Sequence, residues 1–103
     1  MCYKNLKPSL RYYVVIPLLI LLSCSPALYL PTEEHTAKTG IPLDDLKAGR
    51  QLYIDYCGSC HMLYLPSQFS AEQWIQLMDT MRPKVTITNH EEKQIMDYLL
   101  TGK

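Results

Sequence analysis

The chain has 103 residues, 48% of them hydrophobic and 19% charged, with ten Lys+Arg against ten Asp+Glu. That length holds one small domain and excludes a two-domain enzyme. A formal charge of zero with no block of basic residues removes the electrostatic ground for a nucleic-acid partner.

Residues 1–23 read as an export signal, in which Lys4, Lys7 and Arg11 precede the apolar run Val14–Leu22. The run is interrupted by Pro17 and is about half of the roughly 20 residues that a helix needs to cross a bilayer. All three basic residues leave with the signal, so a chain starting at Cys24 keeps seven Lys+Arg and ten Asp+Glu, a net −3. The ending Leu21-Leu22-Ser23-Cys24 resembles a bacterial lipoprotein signal, which implies cleavage before Cys24 and a lipid anchor on it. A plain secretory signal with an incidental Cys24 is the alternative. The cysteine count favours the anchor: lipid on Cys24 leaves only Cys57 and Cys60 as thiols, whereas an unmodified Cys24 is an odd third. Either reading predicts export, and the lipoprotein reading predicts the periplasmic side of a bacterial membrane.

Residues 24–43 carry Pro26, Pro31, Gly40 and Pro42 among polar residues and show neither a helical nor a strand period. They are expected to form a flexible, lipid-anchored linker. The domain is expected over residues 44–103. Asp44-Asp45 put acidic groups where a helix start prefers them, and Leu46, Gly49, Tyr53, Tyr56 and Cys57 keep to one face, so a helix is predicted over 44–57. Gly49 costs a helix about 1 kcal/mol against Ala. Its presence is explained if another helix crosses closely there; chance placement toward solvent is the alternative.

Ser70 followed by Gln73 is a capping box, and Trp74, Leu77, Met78 and Met81 then share a face, giving a second helix that Arg82-Pro83 stops. Thr88 and Glu91 repeat the capping pattern for a third helix, which buries Ile95, Tyr98 and Leu99 before Gly102. The pattern is all-α, without strands, internal repeats or a glycine-rich phosphate loop. About sixty residues in three short helices bury only around 60% of their unfolded surface. Two cysteines in one turn cannot staple such a core, so a large cofactor or a metal is expected at its centre.

Cys57-Gly58-Ser59-Cys60-His61 is CxxCH, the pattern of covalent haem attachment. One tight turn lets both sulfurs reach the two vinyl positions of a single porphyrin while the adjacent histidine turns under the ring toward iron. A thioredoxin-like dithiol is a weaker reading, because that chemistry sits at the start of a helix beside a βαβ pattern. Zinc needs four ligands, and Cys57, Cys60 and His61 leave the fourth to His90 or His35.

With this motif, residues 44–100 resemble a small class I c-type cytochrome. The matching features are the helix with Gly49 and Tyr53, the CxxCH, Met81, the step Ile87-Thr88, and a last helix with Glu91, Ile95 and Tyr98-Leu99. The resemblance implies a three-helix fold packed around one covalent haem c, with first and last helices crossing at Gly49 and Tyr98. It implies thioether bonds from Cys57 and Cys60, His61 as proximal iron ligand, and a methionine as sixth ligand. Met62 follows His61 directly and Met96 lies among packing positions of the last helix, which leaves Met81, with Met78 as the alternative. The interval from His61 to Met81 is short for that family, so a haem with an open sixth position, binding small ligands or reacting with peroxide, is the second functional reading.

Pro66 is a candidate to accept a hydrogen bond from His61 Nδ1 through its carbonyl, and Trp74, Tyr64 and Arg82 are candidates for packing on the haem or binding its propionates. Asp44, Asp45 and Asp55 are candidates for steering a basic partner. The function expected is that of a single-electron carrier between redox proteins or a membrane respiratory complex, held at the membrane by Cys24, rather than that of an enzyme.

Overall fold

The computed structural model of the protein describes residues 27–103. The signal at 1–23 and the anchor at Cys24 lie outside the described residues. Among the described residues four α-helices follow one another: α1 (Glu33–Thr39), α2 (Leu43–Leu52), α3 (Ala71–Met81) and α4 (Asn89–Thr101). A π-helical turn (Tyr53–Cys57) continues α2, and short 3₁₀ turns (Pro66–Gln68 and Arg82–Lys84) precede and follow α3. There is no strand among the described residues, so the fold is all-α, and α2, α3 and α4 are the three helices expected over 44–103. No helix among the described residues is long and apolar enough to cross a membrane.

Both sequence-predicted capping boxes form. Ser70 Oγ accepts from the Gln73 N–H at 3.2 Å, and Gln73 Oε1 accepts from the Ser70 N–H at 2.9 Å. Thr88 and Glu91 repeat the exchange at 3.2 and 2.7 Å. Each pair satisfies two backbone donors that a helix start would otherwise leave unpaired.

Helices α2 and α4 cross at Gly49. A Cβ on Gly49 would lie inside van der Waals distance of the Gln94 carbonyl oxygen, 2.6 Å from its carbon and 3.0 Å from Tyr98 Cβ. The glycine therefore faces the crossing helix and not solvent. Beside it, Gln94 Nε2 donates to Asp45 Oδ1 at 2.8 Å. That contact engages Asp45 within the fold, and Asp55 accepts similarly from Gln51 at 2.9 Å, so two of the three acidic groups considered for steering have partners on the domain itself.

Tyr53, Trp74, Ile87, Ile95, Tyr98 and Leu99 form the buried core, which includes the three residues expected from the last helix. Its aromatic members meet edge to face or tilted: Tyr98 with Tyr53 (6.3 Å), Tyr53 with Trp74 (6.2 Å) and Trp74 with Phe69 (5.1 Å between centroids). Such pairs contribute about 0.5–1.5 kcal/mol each beyond the area they bury.

The expectation for residues 24–43 is corrected in part. Glu33–Thr39 is helical, and the residues before it dock on the domain. Thr32 and His35 supply the helix start, with the Thr32 N–H donating to His35 Nδ1 at 3.1 Å. Tyr29 lies flat on Tyr98, and the Arg50 Nε–H donates to the Tyr29 carbonyl at 3.2 Å. Gly102 makes room for this strap, since a Cβ there would press into the Tyr29 ring. The prolines and polar residues that suggest a tether say nothing of one aromatic ring that finds its partner 69 positions away.

Candidate functional site

The π-turn carries α2 directly into the CxxCH. The Gly58 N–H bonds to the Tyr53 carbonyl at 3.3 Å, five residues back, and to that of Ile54 at 3.2 Å. This widening replaces the last α-turn of the helix predicted over 44–57; such bulges are frequent at functional sites. Cys57 comes to rest half-buried, whereas Cys60, His61 and Met62 are exposed.

Cys57 and His61 line a partly open apolar cleft. Tyr56 and Tyr64 flank them, Trp74, Leu77, Met78 and Met81 contribute from α3, and Ile95 and Leu99 contribute from α4. The cleft thus opens onto the buried core, whose members Tyr53, Trp74, Ile87, Ile95 and Leu99 line it. Both methionines considered as sixth ligand, Met81 and Met78, reach its lining, whereas Met62 is 86% exposed and Met96 packs against the core.

The histidine is oriented by its own loop. His61 Nδ1 lies 2.8 Å from the Met62 carbonyl oxygen, which can only accept, so Nδ1 carries the proton and the Nε2 lone pair is left for a metal. This replaces the expected bond to Pro66. The Pro66 carbonyl instead accepts from the Trp74 indole N–H at 2.9 Å, a buried bond that also removes Trp74 as a propionate donor. A buried indole N–H must find an acceptor, and the Pro66 carbonyl supplies it. Arg82 is likewise engaged elsewhere, its Nε donating to Glu92 Oε2 at 2.7 Å in a half-buried ion pair that ties the end of α3 to α4. Tyr64 remains at the cleft and is 46% exposed.

Burial, with a smaller contribution from neighbouring Cys60, pushes the Cys57 thiol above its ordinary pKa. A nucleophilic dithiol needs the opposite shift. Among the described residues no group of three or more His, Cys, Asp or Glu side chains is gathered as a metal cage. His35 is occupied in capping α1, and His90 lies exposed in the first turn of α4. An apolar cleft with one half-buried thiol, one imidazole with a free Nε2 and two thioethers at its lining suits haem c better than zinc or a thiol couple. The residues present fit that group.

Tyr53 is the site residue that periodicity undervalues, being read only as part of a buried helix face. It lines the cleft, and its hydroxyl lies 2.9 Å from the Tyr64 carbonyl and 3.1 Å from the Tyr64 nitrogen. The available signal is the residue type: a tyrosine at a buried position carries a hydroxyl that requires a partner, where phenylalanine would need none.

A protein-family model described as dihaem cytochrome c matches residues 53–102, from this tyrosine to the end of α4. No curated protein and no solved structure matches the chain significantly. The match supports a c-type cytochrome and haem-based electron transfer. Its description names two haems, whereas the matched segment contains one CxxCH.

Proposed function

We propose that the protein is a single-electron carrier holding one haem c in the cleft between the CxxCH turn, α3 and α4, exported and tethered to a bacterial membrane through Cys24. The observation that carries this reading is the cleft itself, in which Cys57 and His61 meet Met78 and Met81 across an apolar lining. Cys57 and Cys60 would hold the group covalently, His61 Nε2 would bind its iron, and Met81 would supply the sixth ligand. When bound, the group supplies a one-electron iron couple whose potential a thioether ligand raises relative to two histidines.

The chain's own contribution is to exclude water and fix ligands. Trp74, Leu77, Ile87, Ile95 and Leu99 give the cleft a low-dielectric lining, which stabilises the iron state of lower charge. The Met62 carbonyl holds His61 Nδ1–H and makes the imidazole a better donor. Partners are other redox proteins or a membrane respiratory complex, reached by transient docking, so no substrate pocket is required.

The test is the optical spectrum of the full chain, exported from cells that mature c-type cytochromes and recorded after denaturation. A covalently retained haem, with no carbon monoxide binding by the folded reduced protein, is expected. A chain without haem, beside a control cytochrome that matures, overturns the reading. Carbon monoxide binding at the folded wild-type site would transfer it to a ligand-binding haem protein.

A further inference from the structure

Between His61 and the start of α3 the chain has only the short Pro66–Gln68 turn, and backbone groups of Tyr64, Leu65 and Pro66 are met by side chains. The Tyr64 N–H donates to the Tyr53 hydroxyl oxygen at 3.1 Å, and the same hydroxyl donates to the Tyr64 carbonyl at 2.9 Å. The Leu65 N–H donates to Gln68 Oε1 at 2.6 Å, and the Pro66 carbonyl accepts from Trp74 at 2.9 Å. Three side chains thus fix four of the five backbone groups over these three residues, and the Gln68 N–H meets the fifth, the Leu65 carbonyl, at 3.0 Å, the complete pairing that a partly buried loop demands.

Tyr53 differs from the other two because of where it starts. It opens the π-turn that ends at Cys57, so one phenol braces the segment entering the motif and the segment leaving it. The imidazole between them is exposed, and its Nδ1 is held by the backbone of the same loop at Met62. The ring therefore takes its orientation from the loop, and the loop takes its place from Tyr53.

Resting on the haem reading above, we infer that the Tyr53 hydroxyl is a positioning group for the proximal ligand His61, acting through the backbone of Tyr64. A phenylalanine would fill the same core position against Trp74 and Tyr98 but could neither accept from the Tyr64 N–H nor donate to its carbonyl. The role is thus separable from packing.

The experiment compares wild type, Tyr53→Phe, Gln68→Ala and Tyr98→Phe as full chains matured with haem, measuring the midpoint potential, amide exchange at Tyr64 and the thermal midpoint. Tyr53→Phe is expected to speed Tyr64 exchange by about five-fold or more, the loss of one ordinary hydrogen bond, and to shift the potential. Gln68→Ala, at an exposed position with no core to disturb, unties the Leu65 N–H and shifts the potential in the same direction by less. Tyr98→Phe removes a tyrosine hydroxyl bond made to the Tyr29 carbonyl and to no loop backbone group, and lowers the thermal midpoint without moving the potential. Unchanged potentials in both loop variants, or an equal shift in Tyr98→Phe, overturn the inference while leaving the haem reading intact. A wild-type chain without covalent haem overturns both.

Discussion

Tyr29 and Tyr98 exchange hydrogen bonds, each hydroxyl donating to the other's backbone carbonyl at 2.7 and 3.1 Å, while their rings stack 4.5 Å apart and within 6° of parallel. The Tyr98 carbonyl that Tyr29 reaches also caps α4, accepting from the Gly102 N–H at 3.2 Å. The strap is therefore built into the end of the last helix. Removing the ring in Tyr29→Ala should lower the unfolding free energy of the full chain by about 2–4 kcal/mol, and Tyr29→Phe, which loses the hydroxyl alone, by about 1 kcal/mol. Urea unfolding measures both. An unchanged midpoint in Tyr29→Ala would mean that the strap rests on the domain without holding it.

Gly49 offers a test in which two principles predict opposite signs. Helix propensity alone says that Gly49→Ala stabilises by about 1 kcal/mol. The crossing geometry says that the added methyl drives into the Gln94 carbonyl, which is backbone and cannot swing aside, so α2 and α4 must separate. Overpacking of this kind costs about 1–3 kcal/mol, and the close approach should win. A more stable Gly49→Ala protein in denaturant titration would show that the crossing is looser than described.

What could be read from the chain and what could not divide along sequence distance. Ser70 with Gln73, Thr88 with Glu91, and Cys57 with Cys60 and His61 act over three or four positions, so their residue types alone announce the helix starts and the haem turn. The buried trio Ile95, Tyr98 and Leu99 follows from helical period in the same way. The Tyr29 dock joins residues 69 apart, and the Trp74 indole takes a loop carbonyl that could have served His61. Which loop carbonyl a distant indole takes has no local signature. The π-turn at Tyr53–Cys57 is also silent, because it uses residues that an α-helix would accept equally well.

The two methionines at the cleft can be separated by substitution. Met81 ends α3 just before the Arg82–Lys84 turn, and Met78 lies one helical turn earlier, both half-buried at the lining. If Met81 is the sixth ligand, Met81→Leu opens the reduced iron to carbon monoxide and lowers the midpoint potential, because a thioether ligand favours Fe(II). Met78→Leu then retains the wild-type axial spectrum and repacks at a cost below about 1.5 kcal/mol. The reverse pattern would assign the bond to Met78.

Three phenols, those of buried Tyr53 and Tyr98 and of half-buried Tyr29, make stability respond to alkali. Burial raises Tyr53 to about 12, against a favourable hydrogen bond from the Tyr64 backbone that lowers it, and burial also pushes Tyr29 and Tyr98 above the ordinary value. In the unfolded chain these phenols ionise near 10. The folded state therefore retains protons that the unfolded state has lost, and stability falls as pH rises. The contribution of Tyr53 is whole below pH 10 and is lost progressively as pH climbs toward its folded value near 12. Chemical denaturation of the full chain between pH 9 and 12 should show a falling unfolding free energy. Tyr53→Phe should flatten that fall without abolishing it, since Tyr29 and Tyr98 still titrate. An identical slope in wild type and Tyr53→Phe would mean that the Tyr53 phenol ionises equally in both states, and that its hydroxyl is not held in the dry contact with Tyr64 on which the positioning of His61 depends.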